Sequence, residues 1–194
     1  MNDRQKILSA IATNKPALTN LPEILISSEK SKTELIREFG EKLIGIGGKL
    51  MRANIDDVRK ELRKSLERNE YVIHTIPELG EINSEVFFTD AASSLEKVDR
   101  FFLKSTLGVA ENGAVWLQEK EMMNRLLPFI CQHLVIVLNT DDILSNMHEA
   151  YKKIKNTDTG FHVFIAGPSK TADIEQSLVI GAHGARSLTV YLID

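Results

Sequence analysis

Nine consecutive residues, Gly167-Pro168-Ser169-Lys170-Thr171-Ala172-Asp173-Ile174-Glu175, have the types that hold an anion. Ser169 and Thr171 offer hydroxyl donors, Lys170 offers an ammonium, and the loop offers backbone N–H groups. The apolar run 161–166 precedes them and a helix-like stretch, Thr171 to Ile180, follows. The expected order is therefore strand, tight loop, helix. In that order the loop meets the first amides of a helix, which lack intrahelical partners and lie at the positive end of its dipole. Asp173 and Glu175 in the first turn complement the dipole but repel a highly charged ligand. A mono-anion such as a carboxylate suits the loop better than a polyphosphate. The same residues also read as a capped helix after a buried strand, with Ser169 or Thr171 as the cap.

Glu111-Asn112-Gly113 is a second candidate. A carboxylate in a small-residue loop between two expected strands can act as base or nucleophile, or pair with Lys170. Asn-Gly is equally a turn signal. The strand-loop-helix order places the Gly167 loop at the carboxyl edge of a parallel sheet, where Glu111 would join Lys170, Ser169 and the first helix amides in one concave site. The Gly181-Ala182-His183-Gly184-Ala185-Arg186 loop would then lie about 15 Å away, beyond a helix of about ten residues, at the opposite edge. There it reads as a C-terminal cap with a basic residue on the dipole.

Other patterns exclude chemistry. Gly45-x-Gly47-Gly48 follows a helix and leads into a strand, the reverse of a dinucleotide loop, and reads as a helix C-cap. Phe164 and Ser169 stand where a phosphate-binding loop ending in Lys170-Thr171 requires glycines, which excludes nucleotide hydrolysis. His74, His133, His148, His162 and His183 show no ligand spacing, so they read as structural and no metal is expected. Cys131 is the single cysteine, which excludes an internal disulfide and any iron–sulfur cluster held by this chain alone. A net charge of −3 leaves no electrostatic footprint for nucleic acid. There is no membrane-spanning apolar run, and the first residues lack a signal-peptide core, so a cytoplasmic location is expected.

The elements that must position these residues alternate. Asp3 to Thr13 reads as a short amphipathic helix. A polar connector bracketed by Pro16 and Pro22 follows, so residues 1–31 form an arm and 32–194 the main domain. Thr33 to Ile46 places Leu35, Ile36, Phe39, Leu43 and Ile46 on one helical face. Lys49 to Arg52 is strand-like, a helix capped at Asn54 or Asp56 runs to Arg68, and Tyr71 to His74 is a strand. Arg100 to Lys104 and Ala114 to Gln118 read as strands. Phe101, Phe102 and Trp116 read as core. His133 to Asn139 has the continuous apolar character of a strand buried on both faces. Asp141 opens an expected helix to Ile154, and Ser187 to Ile193 closes as a strand. This alternation predicts an α/β fold with a mostly parallel open sheet flanked by helices.

Gly167 to Glu175, then Leu178-Val179, the Gly181 to Arg186 loop and a terminal apolar strand together resemble the lactate-utilisation protein C family, the LutC/YkgG group with its LUD domain. That family's pattern is Gly-Pro-Ser-Arg/Lys-Thr-Ala-Asp-Ile-Glu followed by Gly-x-His-Gly-Pro-Arg. Ala110 to Gly113 and Pro128 to Val137 resemble further family segments, so the strong match runs from about Leu107 to the end. Asn112 replaces a usual hydroxyl residue and Ala185 a usual proline. The resemblance implies a fold akin to the ribose-phosphate isomerase and CoA-transferase superfamily. It also implies a bacterial system oxidising L-lactate, in which cysteine-rich partner subunits carry the iron–sulfur clusters and this chain carries none. The expected role is an accessory or substrate-binding subunit, taking a small anionic ligand through Gly167, Pro168, Ser169, Lys170, Thr171, Asp173, Asn112 and Gly113. The alternative is a stand-alone isomerase or acyl/CoA transferase on a phosphorylated sugar or acyl-CoA, with Glu111 as the catalytic group.

Overall fold

The computed structural model describes residues 2–20, 30–81, 92–154, 160–174, 177–181 and 183–194. Helix α1 (Asp3–Thr13) is closed by a capping box on Asn2, yet Ile7, Leu8 and Ile11 are all exposed. Helix α2 (Lys32–Gly45) starts with a second capping box, Ser31 with Glu34. It buries Ile36, Phe39 and Leu43, the stripe that its spacing predicts. Its end is a Schellman motif: Gly48 N donates to Leu43 O at 2.8 Å and Gly47 N to Ile44 O at 2.9 Å. The Gly45 to Gly48 segment is thus the helix cap its position implied. Strand β1 (Lys49–Arg52) and helix α3 (Ile55–Glu67), capped by Asn54, follow.

Next come β2 (Val72–His74), a 3₁₀ turn at Pro77–Leu79, the short α4 (Ala92–Leu95) and β3 (Arg100–Ser105). A second layer then forms from β4 (Leu107–Val109), β5 (Ala114–Gln118) and two short helices, α5 (Glu119–Met122) and α6 (Leu127–Ile130). The chain returns through β6 (His133–Asn139) to a 3₁₀ turn, β7 (Ile143–Leu144), α7 (Met147–Lys153), β8 (His162–Ile165), β9 (Lys170–Ile174), β10 (Ser177–Ile180) and β11 (Ser187–Ile193).

The main sheet has five strands in the order β1-β11-β6-β3-β2, parallel at every pairing. Its central strand β6 alternates Leu134, Ile136 and Leu138 into one cluster with Val135 and Val137 into another. Burial on both faces explains its unbroken apolar run. Helix α3 covers one face. The other carries α2 and a four-stranded sheet, β7-β4-β5-β8, whose far side packs Leu107, Val109 and Trp116 against Ala150 of α7. The α/β prediction with a mostly parallel, helix-flanked sheet therefore holds.

Two expected elements do not form. The segment 170–180 is not a helix: β9 and β10 pair antiparallel, with Ser177 opposite Ile174 and Ile180 opposite Lys170. A ten-residue helix is marginal without packing, and the β-branched Thr171, Ile174, Val179 and Ile180 favour strands. The expected 141–154 helix is also divided, into the 3₁₀ turn at Thr140–Asp142, then β7, then α7. Pairing of Ile143 and Leu144 with Gly108 and Val109 holds the middle part extended.

An ion-pair network lies where β2 and β3 begin. Glu70 accepts from Arg100 Nε at 2.5 Å and from Arg68 Nε at 2.8 Å. Hydrogen bonding to Arg68, reinforced by Arg100, holds the Glu70 carboxyl at about 2, below its ordinary value. A depressed folded-state value makes this contribution full above the unfolded carboxyl range and lost as pH falls towards 2. Glu70→Gln is expected to lower stability by about 1–2 kcal/mol at pH 7, after discounting for solvent screening. In urea titrations the gap to the wild type should close between pH 5 and 2; a gap that persists at pH 2 contradicts the assignment.

Candidate functional site

The β9–β10 hairpin changes where the candidate residues meet. Because the chain turns back after Ile174, the segment 181–186 returns beside the start of the hairpin instead of lying a helix length away. Ser169 N donates to Ala185 O at 2.9 Å, and Gly181 N donates to Ser169 O at 3.1 Å. The expected separation of His183 from Lys170 is therefore overturned. The two loops share one cleft of about 320 Å³, lined by Gly167, Pro168, Ser169 and Lys170 from one segment and His183, Gly184 and Ala185 from the other. Among the described residues Pro128, Phe129, Leu134, Phe164, Ile165 and Ala166 also line it.

The cleft lies at the amino edge of the parallel sheet, not the carboxyl edge. Arg186 N donates to Gln132 O at 2.8 Å, just before β6 and β11 begin side by side with Ser187 opposite His133. The carboxyl-edge expectation assumed that Phe161–Ala166 was a strand of the parallel sheet. Strand β8 instead pairs antiparallel with β5 in the second layer. The cap of α2 closes one side: a Cβ at Gly47 would stand 3.5 Å from Pro168 and 3.8 Å from the Lys170 stem. Gly167 sits so close to Ile46 that a Cβ there would come within 2.9 Å of the Ile46 carbonyl oxygen.

Lys170 is exposed at this cleft and has no carboxylate partner among the described residues. Its ammonium thus lies on the same cleft as Ser169 and His183. The helix dipole expected to assist them is absent, because β9 replaces the helix. The first-turn roles of Thr171 and Asp173 fall with it; both lie on β9. Glu175 lies outside the described residues.

Glu111 is not among the residues lining the cleft. Its Oε1 accepts from Met147 N, the first amide of α7, at 2.9 Å, while its own N–H donates to Ser145 O at 3.1 Å. It thereby satisfies one orphan donor of a helix end. Asn112 Oδ1 accepts from Ala114 N at 3.0 Å, tying the turn that carries Gly113. The Glu111-Asn112-Gly113 triplet thus fixes a junction between β4, β5 and α7, and its own contacts account for it.

Three groups elsewhere bear on chemistry. His133 Nδ1 lies 2.8 Å from Ser187 Oγ; burial, with Arg100 next, lowers the His133 pKa. Trp116 stacks on His162 at 5.4 Å, with planes 6° apart. Cys131 is buried, and burial pushes its thiol up to about 12. Among the described residues no group of three His, Cys, Asp or Glu side chains could hold a metal ion, and no helix is long and apolar enough to cross a membrane.

Phe129 and Leu134 also line the cleft; the Pro128 to Val137 segment that contains them marked the family but gave no sign of a place at the site. His183 and Gly184 stood out in the sequence but were set aside, because their membership depends on the hairpin that the helical reading excluded.

Comparison with known proteins adds family and fold. The family model described as the LUD domain matches residues 19–193. The chain is 22% identical to Lactate utilization protein C of Oceanobacillus iheyensis, over the whole of this chain and 99% of that protein. It is 32% identical to an uncharacterized protein of Neisseria meningitidis serogroup B over 50% of this chain and 42% of the other. It is 30% identical to Lactate utilization protein C of Anoxybacillus flavithermus over 54% of this chain and 48% of that protein. In these last two matches the aligned part is less than half of the relative. A crystal structure of a DUF162 family protein from Deinococcus radiodurans superposes with a TM-score of 0.66, covering 85% of this chain and 99% of that one. At 16% identity this likeness shows a shared fold.

Proposed function

The chain belongs to the LUD domain family, and from that premise we propose that it serves lactate utilisation as a substrate-binding or accessory subunit of a lactate-oxidising assembly. In this reading the cleft between the Gly167 and His183 loops holds a small carboxylate. Lys170 supplies the charge, and Ser169 and His183 supply donors. Partner subunits supply the iron–sulfur clusters, since this chain has the single cysteine Cys131.

The observation that carries the reading is the exposed Lys170 ammonium, without a carboxylate partner among the described residues, on a cleft that Ser169 and His183 also line. A full cation that shares a cleft with a hydroxyl and an imidazole attracts a mono-anion through charge-assisted hydrogen bonding. The relatives named Lactate utilization protein C point to a small hydroxy acid. Glu111, the group that a stand-alone isomerase or acyl transferase would need, caps α7 and does not line the cleft. The geometry thus favours binding over that chemistry.

Two measurements test the proposal. Affinity capture of the chain from its native extract should bring down cysteine-rich iron–sulfur proteins; recovery of the chain alone, with normal growth of a deletion strain on lactate, would count against the assembly. In calorimetric titration L-lactate should bind and lactamide should not. Lys170→Ala should weaken lactate binding by about 1–3 kcal/mol through loss of a charge-assisted hydrogen bond. The exposed lysine has little to lose on folding, so the unfolding midpoint should stay put. Equal binding by Lys170→Ala and the wild type would remove Lys170 from the site.

A further inference from the structure

We infer that the free edge of β1 is a docking site for an extended, acid-flanked segment of a partner protein, which adds a strand beside Lys49–Arg52. This goes beyond the carboxylate reading of the cleft and does not depend on it.

The first ground is an open hydrogen-bonding edge. Strand β1 ends the five-stranded sheet and, among the described residues, pairs with β11 alone. Ala53 N donates inward to Leu192 O at 3.0 Å. Successive peptide groups of a strand alternate sides, so Leu50 and Arg52 turn their N–H and C=O groups outward. No described residue pairs with them across that edge. A row of free donors and acceptors is a template for an added strand.

The second ground is the order of charge and apolar surface along the edge. Lys49, Met51 and Arg52 are exposed, Met51 at 49%, and Leu50 is half-buried. Neither Lys49 nor Arg52 has a carboxylate partner among the described residues. Leu50 rests on α2, where a Cβ at Gly40 would stand 2.8 Å from Leu50 Cδ2. Alternation then puts Arg52 on the α2 side and Lys49 with Met51 on the other. An added strand meets a cation, two apolar residues and a second cation in succession. Its complement reads acid, apolar, apolar, acid, with each carboxylate beside a cation on the same face of the sheet.

The same order selects the occupant. Two β1 edges paired antiparallel would set Lys49 of each copy opposite Arg52 of the other, and paired parallel would set each cation beside its own kind. Like charges directly opposite are destabilising, so a second copy is disfavoured. The cationic ends thus guard the edge against self-pairing while they attract an acidic strand.

The test titrates the full, isotope-labelled chain with the peptide acetyl-Thr-Glu-Ile-Val-Glu-Thr-amide and follows backbone amide shifts. The amides of Leu50 and Arg52 should move, and added salt should weaken binding. A peptide with lysine at both glutamate positions should bind about tenfold more weakly or worse. The double variant Lys49→Glu/Arg52→Glu should reverse that preference, and its unfolding midpoint reports whether it folds. N-methylation at both apolar residues of the peptide, which blocks either edge of an added strand, should abolish binding. Equal binding of the acidic and basic peptides overturns the charge complement. Shifts confined to residues away from β1, an absence of shifts, or full binding by the N-methylated peptide overturns the docking site. Sedimentation of the wild type as a dimer that the double variant breaks would give the edge to a second copy and overturn the choice of partner. Titration with L-lactate reads the cleft separately, so its failure leaves this inference standing.

Discussion

Gly113→Ala is expected to cost about 2–5 kcal/mol of folding stability, combining strain at a left-handed position with overpacking. Gly113 has φ +70°, a conformation that L side chains rarely adopt. A Cβ built there would stand 2.6 Å from the Leu43 backbone nitrogen, 2.9 Å from its Cα and 3.1 Å from the Lys42 carbonyl carbon. These atoms belong to the backbone of α2, so no side chain can swing aside. The turn is held from its own side as well, since Gly113 N donates to Val109 O at 2.9 Å. Urea unfolding of the variant measures the cost directly. A loss below about 1 kcal/mol would mean that the β4–β5 turn does not press on α2. A variant that keeps its stability but loses ligand binding would return Glu111-Asn112-Gly113 to the site.

Phe39→Ala should cost about 3–5 kcal/mol, the usual range for deleting a buried aromatic ring. Phe39 is 0% exposed. Its ring edge would lie 3.2 Å from a Cβ at Gly108, where Leu138 of the central strand would come within 2.6 Å. The ring therefore fills the seam where α2, the second layer and the main sheet meet. For a domain of this size each kcal/mol moves the midpoint by about 2–4 °C, so a drop of roughly 6–20 °C is expected by calorimetry. Phe39→Leu, which leaves a smaller void, should cost clearly less. Because the end of α2 also rests on Gly167, Phe39→Ala should weaken acid binding in the fraction that stays folded. Stability within about 1 kcal/mol of the wild type would contradict this placement of α2.

Much of the framework was legible residue by residue. The Asp3–Thr13 helix, the Phe39 face of α2, the Gly47-Gly48 cap and the strands at 49–52, 114–118, 133–139 and 187–193 all follow from local signals. Apolar spacing, capping residues and runs of β-branched side chains act within a few residues, so they survive in a one-dimensional reading. The nine-residue run at Gly167 also pointed to the family, because order and spacing of residue types need no coordinates.

The site itself depended on one local decision with a distant consequence. Residues 171–180 carry signals for both helix and strand, and pairing of β9 with β10 selects the strand. A helix would have carried the chain about 15 Å onward, whereas the hairpin returns it, so His183, Gly184 and Ala185 come to face Ser169 and Lys170. Likewise, the apolar character of Phe161 to Ala166 marks a strand but not its sheet. Only the pairing of β8 with β5 moves the Gly167 loop from the carboxyl edge to the amino edge. Glu111 shows the same limit, because its hydrogen bond spans 36 positions to the α7 amide that engages it. Sequence alone determined which residues are chemically able to bind an anion and which family they mark. The tertiary structure decided which of them meet, because backbone pairing between distant segments sets the direction of the chain.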